Sequence, residues 1–112
     1  MYRLWVAAGL VLCWSATLWA GEHLSRTVDA DRAAALERLV LQDCGSCHGM
    51  TLKGGLGPDI RATTLKGSSP EAIKEIILDG VPGTPMPPWR PLLSEGDAEW
   101  IAHYLLQQEG GR

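Results

Sequence analysis

Residues 44–48 read Cys44-Gly45-Ser46-Cys47-His48, two cysteines separated by two small residues and followed at once by a histidine. This is the Cys-x-x-Cys-His pattern of covalent haem attachment. The spacing has a chemical reason. Each thiol adds to one vinyl group of the porphyrin, and a two-residue gap lets both sulfurs reach neighbouring rings. The next side chain, His48, then projects over the iron as an axial ligand. Three other uses of the pair compete. A Cys44–Cys47 disulfide would close a loop too short to stabilise much. A thioredoxin-type redox pair calls for a preceding strand and a mixed sheet, and no such pattern is present. A zinc site calls for four ligands, and Cys44, Cys47 and His48 with His23 or His103 make a poor set. The sequence therefore predicts one haem c, covalently held through Cys44 and Cys47.

Outward from the motif, every periodic segment is helical. Before it, Ala33, Leu36, Leu39 and Val40 recur at helical spacing and predict a helix over 30–43, with Asp29 as its N-cap, that the motif closes. After it, residues 49–67 are glycine-rich and predict a loop with little regular structure. Ser69-Pro70 opens a second helix, as cap followed by proline at the first position, which carries Ile73, Ile76 and Ile77 and stops at Gly80. Residues 81–89 hold four prolines among nine positions, which excludes a helix and predicts a stiff, extended segment. A third helix starts at Ser94, with Asp97 in a capping-box arrangement and Gly110-Gly111 as its stop. The fold class is all-α.

At 112 residues there is room for one domain, small enough for an enclosed cofactor to supply much of its core. The formal charge of −3 argues against nucleic acid as a partner. Met1-Tyr2-Arg3 is a short basic leader, and Leu4 to Ala20 contains no charged residue. This predicts a signal peptide over 1–20, cleaved after Ala20, with the haem-binding domain over 21–112. An uncleaved anchor is the competing reading, although 17 residues is the lower limit for a span. Cleavage leaves a periplasmic protein with no stable membrane association. Cys13 lies inside the leader as a passenger.

Four residues compete for the second axial position: Met50, Met86, His23 and His103. Met50 is too near His48 to reach the opposite face of the ring. Met86 lies between Pro85 and Pro87, which pre-set its loop, and a thioether there is a soft ligand that favours reduced iron. His103 sits within an amphipathic helix, and His23 in a polar leader. A metal-bound histidine also needs a partner for its other ring nitrogen. A carbonyl in the loop 54–58, which Pro58 steadies, is a candidate; a plain turn is the alternative.

The order of parts, Cys44-x-x-Cys47-His48, Gly57-Pro58-Asp59, Pro85-Met86-Pro87 and an amphipathic C-terminal helix, resembles the class I monohaem cytochromes c over nearly the whole of residues 21–112. The resemblance implies a small cytochrome c fold, with three main helices around one haem. It implies His48/Met86 ligation, the Pro58 carbonyl accepting from His48, and a crossing of the terminal helices that brings Leu36 and Val40 near Tyr104. The stretches 43–58 and 82–89 are similar in particular to the small periplasmic cytochromes c encoded beside cytochrome-cd nitrite reductase in denitrifying bacteria. That similarity implies redox exchange with the nitrite reductase, or a role beside a haem-maturation enzyme that builds its special haem.

Two axial ligands leave the iron no open position, which suits electron transfer rather than catalysis. The expected function is an electron carrier, not an enzyme. A labile Met86 would instead permit gas binding. Trp89 is read as a core aromatic or as part of a docking edge. Lys53, Arg61, Lys66 and Arg90 are read as solvated charges, or as anchors for the haem propionates or a partner.

Overall fold

The computed structural model describes residues 28–108, and among them there is helix and no strand. Helix α1 covers Ala30–Leu39. Its start is set by Asp29, whose carboxylate accepts the Arg32 backbone N–H at 2.8 Å. The helical path does not stop at Leu39. It widens into a π-turn over Val40–Cys44, where the Gly45 N–H reaches back to the Val40 carbonyl, and re-enters α-geometry as α2, Gly45–His48. The predicted helix over 30–43 is therefore present, and the Cys-x-x-Cys-His run forms its last turns. A π-turn inserts one residue into the helical repeat, so it rotates everything after it relative to the face before it. No periodicity in the sequence announces that.

Helix α3, Ala62–Leu65, is a short helical turn within the stretch 49–67, read as a loop with little regular structure. Four residues are too short to show a period, and α3 is held by tertiary contact: Leu65 packs on the core. Helix α4, Pro70–Asp79, starts on Ser69, whose hydroxyl accepts the Ala72 N–H, and ends at Gly80. Helix α5, Glu95–Gln107, opens with the predicted capping box. The Asp97 N–H donates to Ser94 Oγ at 3.1 Å, and the Ser94 N–H donates to Asp97 Oδ2 at 3.0 Å. It ends at Gln107, before Gly110-Gly111. Those two glycines, like the predicted signal peptide and His23, lie outside the described residues.

The core forms where α4 and α5 pack together, with α1 and α3 laid against α5. Leu36, Val40, Leu78 and Ile101 are the largest fully buried side chains. Burying a side chain of this size contributes about 1.5–3 kcal/mol, so these few residues supply much of the local stability. Ala98 and Ala102, one turn apart on α5, are also fully buried, and their small side chains permit close packing on that face.

The crossing of the first and last helices, which the family resemblance implied, is present. Arg32 Nε and Nη2 donate to the two carboxylate oxygens of Asp97 at 3.0 and 2.8 Å, joining residues 65 positions apart. The Tyr104 hydroxyl donates to Glu37 at 3.1 Å, and Tyr104 packs on the cluster that contains Leu36 and Val40. Trp100 stacks on Tyr104 with ring centroids 5.1 Å apart. Asp97 is the only buried charged residue among those described, so its two-point pairing with Arg32 matters. That pairing holds its carboxyl down at about 2, with help from the capping bonds to Ser94.

Candidate haem site

The first side of the site is built from the motif and the ten residues after it. Gly49, at φ +86°, ends α2 and turns the chain back across the helix end. The returning loop is bonded to the motif's own carbonyls: the Gly54 N–H donates to His48 O at 2.7 Å, and the Gly57 N–H to Cys47 O at 2.8 Å. Leu52 anchors the turn. Its side chain is buried, it adopts a left-handed φ of 60°, and its carbonyl accepts the Ile60 N–H at 3.0 Å.

This path brings the Pro58 carbonyl to 2.7 Å from His48 Nδ1. A carbonyl only accepts, so Nδ1 carries a proton, and Nε2 is the nitrogen left to face a metal. The loop also presses on the ring: a Cβ on Gly57 would sit 2.8 Å from His48 Cε1 and Nδ1. Glycine is what allows this approach. Pro58 itself is exposed, and the next residue is braced. The Arg61 backbone N–H, Nε and Nη2 all donate to the Asp59 carboxylate, with Nη2 to Oδ2 at 2.6 Å. Those bonds from Arg61 hold the Asp59 carboxyl well below the usual carboxylate range.

The second side is the loop 81–90. Met86 is half-buried within it, and the loop is laid back along the C-terminal end of α4. The terminal carbonyls of α4, which have no partner inside the helix, accept from it. The cap residue Gly80 donates to Ile76 O at 2.9 Å, and from the loop Trp89 donates to Ile77 O at 3.1 Å and Arg90 to Leu78 O at 3.0 Å. Within the loop, the Val81 N–H donates to Met86 O at 3.2 Å. The Thr84 hydroxyl donates to Val81 O at 2.7 Å and accepts the Met86 N–H at 3.3 Å. Gly80 is indispensable here. Its φ is +66°, and a Cβ would lie 2.7 Å from the Met86 carbonyl oxygen and from backbone atoms of Pro87 and Pro88.

Cys44 and Cys47 are free thiols, Cys44 half-buried and Cys47 exposed. Burial, reinforced by the charge of Asp43, pushes the Cys44 thiol up to about 11. Met50 is 66% exposed and His103 is exposed on α5, while Trp89 packs on the core, in accord with its reading as a core aromatic. Lys53 and Lys66 are exposed, whereas Arg61 and Arg90 are ion-paired. Leu56, Ile76 and Val81 leave 78%, 50% and 39% of their surface in contact with solvent. The donor set fits a haem on its chemistry: two thiols at the attachment spacing, an imidazole with a free Nε2, and a thioether on a braced loop.

A helical fold whose first helix ends in Cys-x-x-Cys-His, with the histidine ring fixed by a loop carbonyl, defines a c-type cytochrome. Comparison with known proteins agrees. The family described as cytochrome C oxidase, cbb3-type, subunit III, matches residues 31–105. Cytochrome c55X of Paracoccus denitrificans is 54% identical over 92 residues, which span 82% of this chain and 89% of that protein. The solved structure of the c-type cytochrome NirC superposes with a TM-score of 0.69 at 51% identity, covering 70% of this chain and 93% of its own. The structure of the dihydro-heme d1 dehydrogenase NirN in complex with DHE superposes with a TM-score of 0.60 at 34% identity, over 65% of this chain but 16% of that one. The chain belongs to the small NirC-like c-type cytochromes, the cytochrome c55X family, and is an electron carrier with a covalent c-type haem.

Proposed function

We propose that this chain carries one electron at a time in the periplasm, within the nitrite reductase system of denitrification, on a single haem held by Cys44 and Cys47. His48 and Met86 are its axial ligands and Pro58 orients His48. The observation that carries this reading is the 2.7 Å contact between His48 Nδ1 and the Pro58 carbonyl, which fixes the tautomer that offers Nε2 to a metal. When bound, the haem supplies a reversible one-electron iron couple. The chain's own part is to hold both axial groups still, so that a change of oxidation state demands little rearrangement. The glycine-rich loop does this for His48, and the end of α4 does it for Met86. With His48 and Met86 both holding the iron, a bound haem would offer no open position to a substrate, which favours a carrier over an enzyme.

The partner assignment is supported by similarity to NirC and cytochrome c55X. Reduced protein mixed with cytochrome-cd nitrite reductase is expected to be reoxidised rapidly, through a small and short-lived contact. A second reading has its own support, because a domain like this chain occurs within the dihydro-heme d1 dehydrogenase. In that reading the chain exchanges electrons during maturation of the special haem. Oxidation of reduced protein by the reductase favours the first role. Reduction of oxidised protein during turnover of the dehydrogenase, with no reaction at the reductase, favours the second. Ready binding of carbon monoxide by the reduced protein would count against both and favour gas binding.

A further inference from the structure

Arg90, four residues beyond Met86, is the most heavily engaged cation among the described residues, and nothing in the haem chemistry above uses it. Its Nε and Nη2 both donate to Asp79 Oδ1, at 3.0 and 2.8 Å. Nη2 also lies 3.8 Å from Glu75 Oε2, and Nη1 lies 3.6 Å from Glu95 Oε1. Asp79 and Glu75 are on the last turns of α4, and Glu95 is the first residue of α5. The same network continues through Lys74, which pairs with Glu71 at 2.8 Å and approaches Glu75 at 3.8 Å. Three nitrogens of one guanidinium thus meet three carboxylates from two helices, at the point where the loop 81–90 rejoins the fold.

The backbone of Arg90 is bonded there too, to Leu78 O. The near end of the loop is fixed by Gly80, and its middle by bonds within the loop itself: Val81 to Met86, the Thr84 N–H to Val81 O, and the Thr84 hydroxyl. An outward swing of Met86 is then resisted at the far end, where the Trp89 and Arg90 N–H groups bond to Ile77 and Leu78 O, Trp89 packs on the core, and the Arg90 side chain adds its ion pairs. We infer that Arg90 is a positioning residue for Met86: its ion pairs to Asp79, Glu75 and Glu95 close the loop on α4 and set how readily the thioether leaves the iron. This rests on the reading of Met86 as the sixth ligand. The pairs are exposed, so their effect is modest and screened by salt, as expected of a network of surface charges.

The test uses the haem-loaded, full-length protein in its oxidised form, with imidazole as the competing ligand, in the native chain and in Arg90→Ala, Arg90→Lys, Asp79→Asn and Met86→Ala. Arg90→Ala is expected to bind imidazole about three- to fivefold more tightly than the native protein, as the loss of a small charge network predicts. Asp79→Asn, which keeps the side-chain shape, should move the same way, and Arg90→Lys should recover part of the loss. Raising the salt from about 0.05 to 0.5 M should tighten imidazole binding to the native protein and leave Arg90→Ala almost unmoved, because the pairs it screens are gone. A purely structural role would not produce that loss of salt response. Unchanged affinity and salt response in both Arg90→Ala and Asp79→Asn, with the methionine–iron(III) charge-transfer absorption still lost in Met86→Ala, would overturn the role of Arg90 and leave the ligand standing. If Met86→Ala leaves that absorption and the imidazole affinity untouched, the ligand reading itself fails and the inference goes with it.

Discussion

The two loops that frame the candidate haem site are fixed by different means. The loop 49–58 is held by backbone: carbonyls of Cys47 and His48 each accept an N–H from it, and Gly57 touches the imidazole. The loop 81–90 is longer, rich in proline, and fixed at its ends by helix α4 and by exposed ion pairs. Short backbone bonds within ten residues of His48 leave that ring little freedom. Bonds to α4 near the ends of a longer loop, with exposed ion pairs beside them, leave Met86 a softer constraint. If His48 and Met86 hold the iron as proposed, one ligand is kept fixed and the other has a tunable grip, and the two sides should respond differently to substitution.

The largest difference is expected from paired glycine substitutions. Gly80→Ala places a Cβ against the backbone of residues 86–88 at a positive φ, with no flexible side chain able to yield. It should cost about 2–3 kcal/mol of stability and weaken the methionine–iron absorption, read by denaturant titration and by spectrum. Gly57→Ala places its Cβ against the His48 ring, which should tilt away and weaken its bond to the Pro58 carbonyl. A weaker bond at Nδ1 makes a less basic ligand, so the reduction potential should rise by about 60 mV, a tenfold change for one electron. Stability should fall less than for Gly80→Ala. Equal spectral damage from both would break the distinction between the two loops.

The helix crossing provides a control that lies outside both loops. Asp97 is held at about 2 by Arg32. A carboxyl with a depressed pKa contributes stability above its unfolded value, near 4, and loses it as the pH falls towards 2. Arg32→Ala should lower stability at neutral pH by about 1–2 kcal/mol and flatten the acid loss between pH 4 and 2, while leaving the absorption spectrum unchanged. Denaturant midpoints at neutral pH and near pH 3 check this. The effect of Arg90→Ala on stability should be smaller still, below about 1 kcal/mol, because its pairs are exposed.

Much of this was legible in the sequence where the signal is local. Asp29, Ser69-Pro70, Gly80 and the Ser94–Asp97 box all mark helix ends, because a cap acts within a few residues of itself. Cys-x-x-Cys-His carried its chemistry in its spacing, and the resemblance to class I cytochromes c supplied the pairing of His48 with Pro58 that the structure contains. The π-turn was not legible, since it shifts hydrogen bonds without changing composition. Helix α3 was missed because four residues show no period. The pairs Arg32–Asp97 and Arg90–Glu95 were invisible for another reason: charge partners on different elements leave no mark in either segment. Asp97 read as a cap, and only the fold shows it doing a second task.

The most direct test of the account is the spectrum of the haem-loaded protein, oxidised and reduced, beside that of Met86→Ala. Six-coordinate, low-spin iron with a weak far-red methionine–iron(III) band in the native protein, lost in Met86→Ala, is the predicted result. A high-spin spectrum in the native protein, or a band indifferent to Met86→Ala, would contradict it.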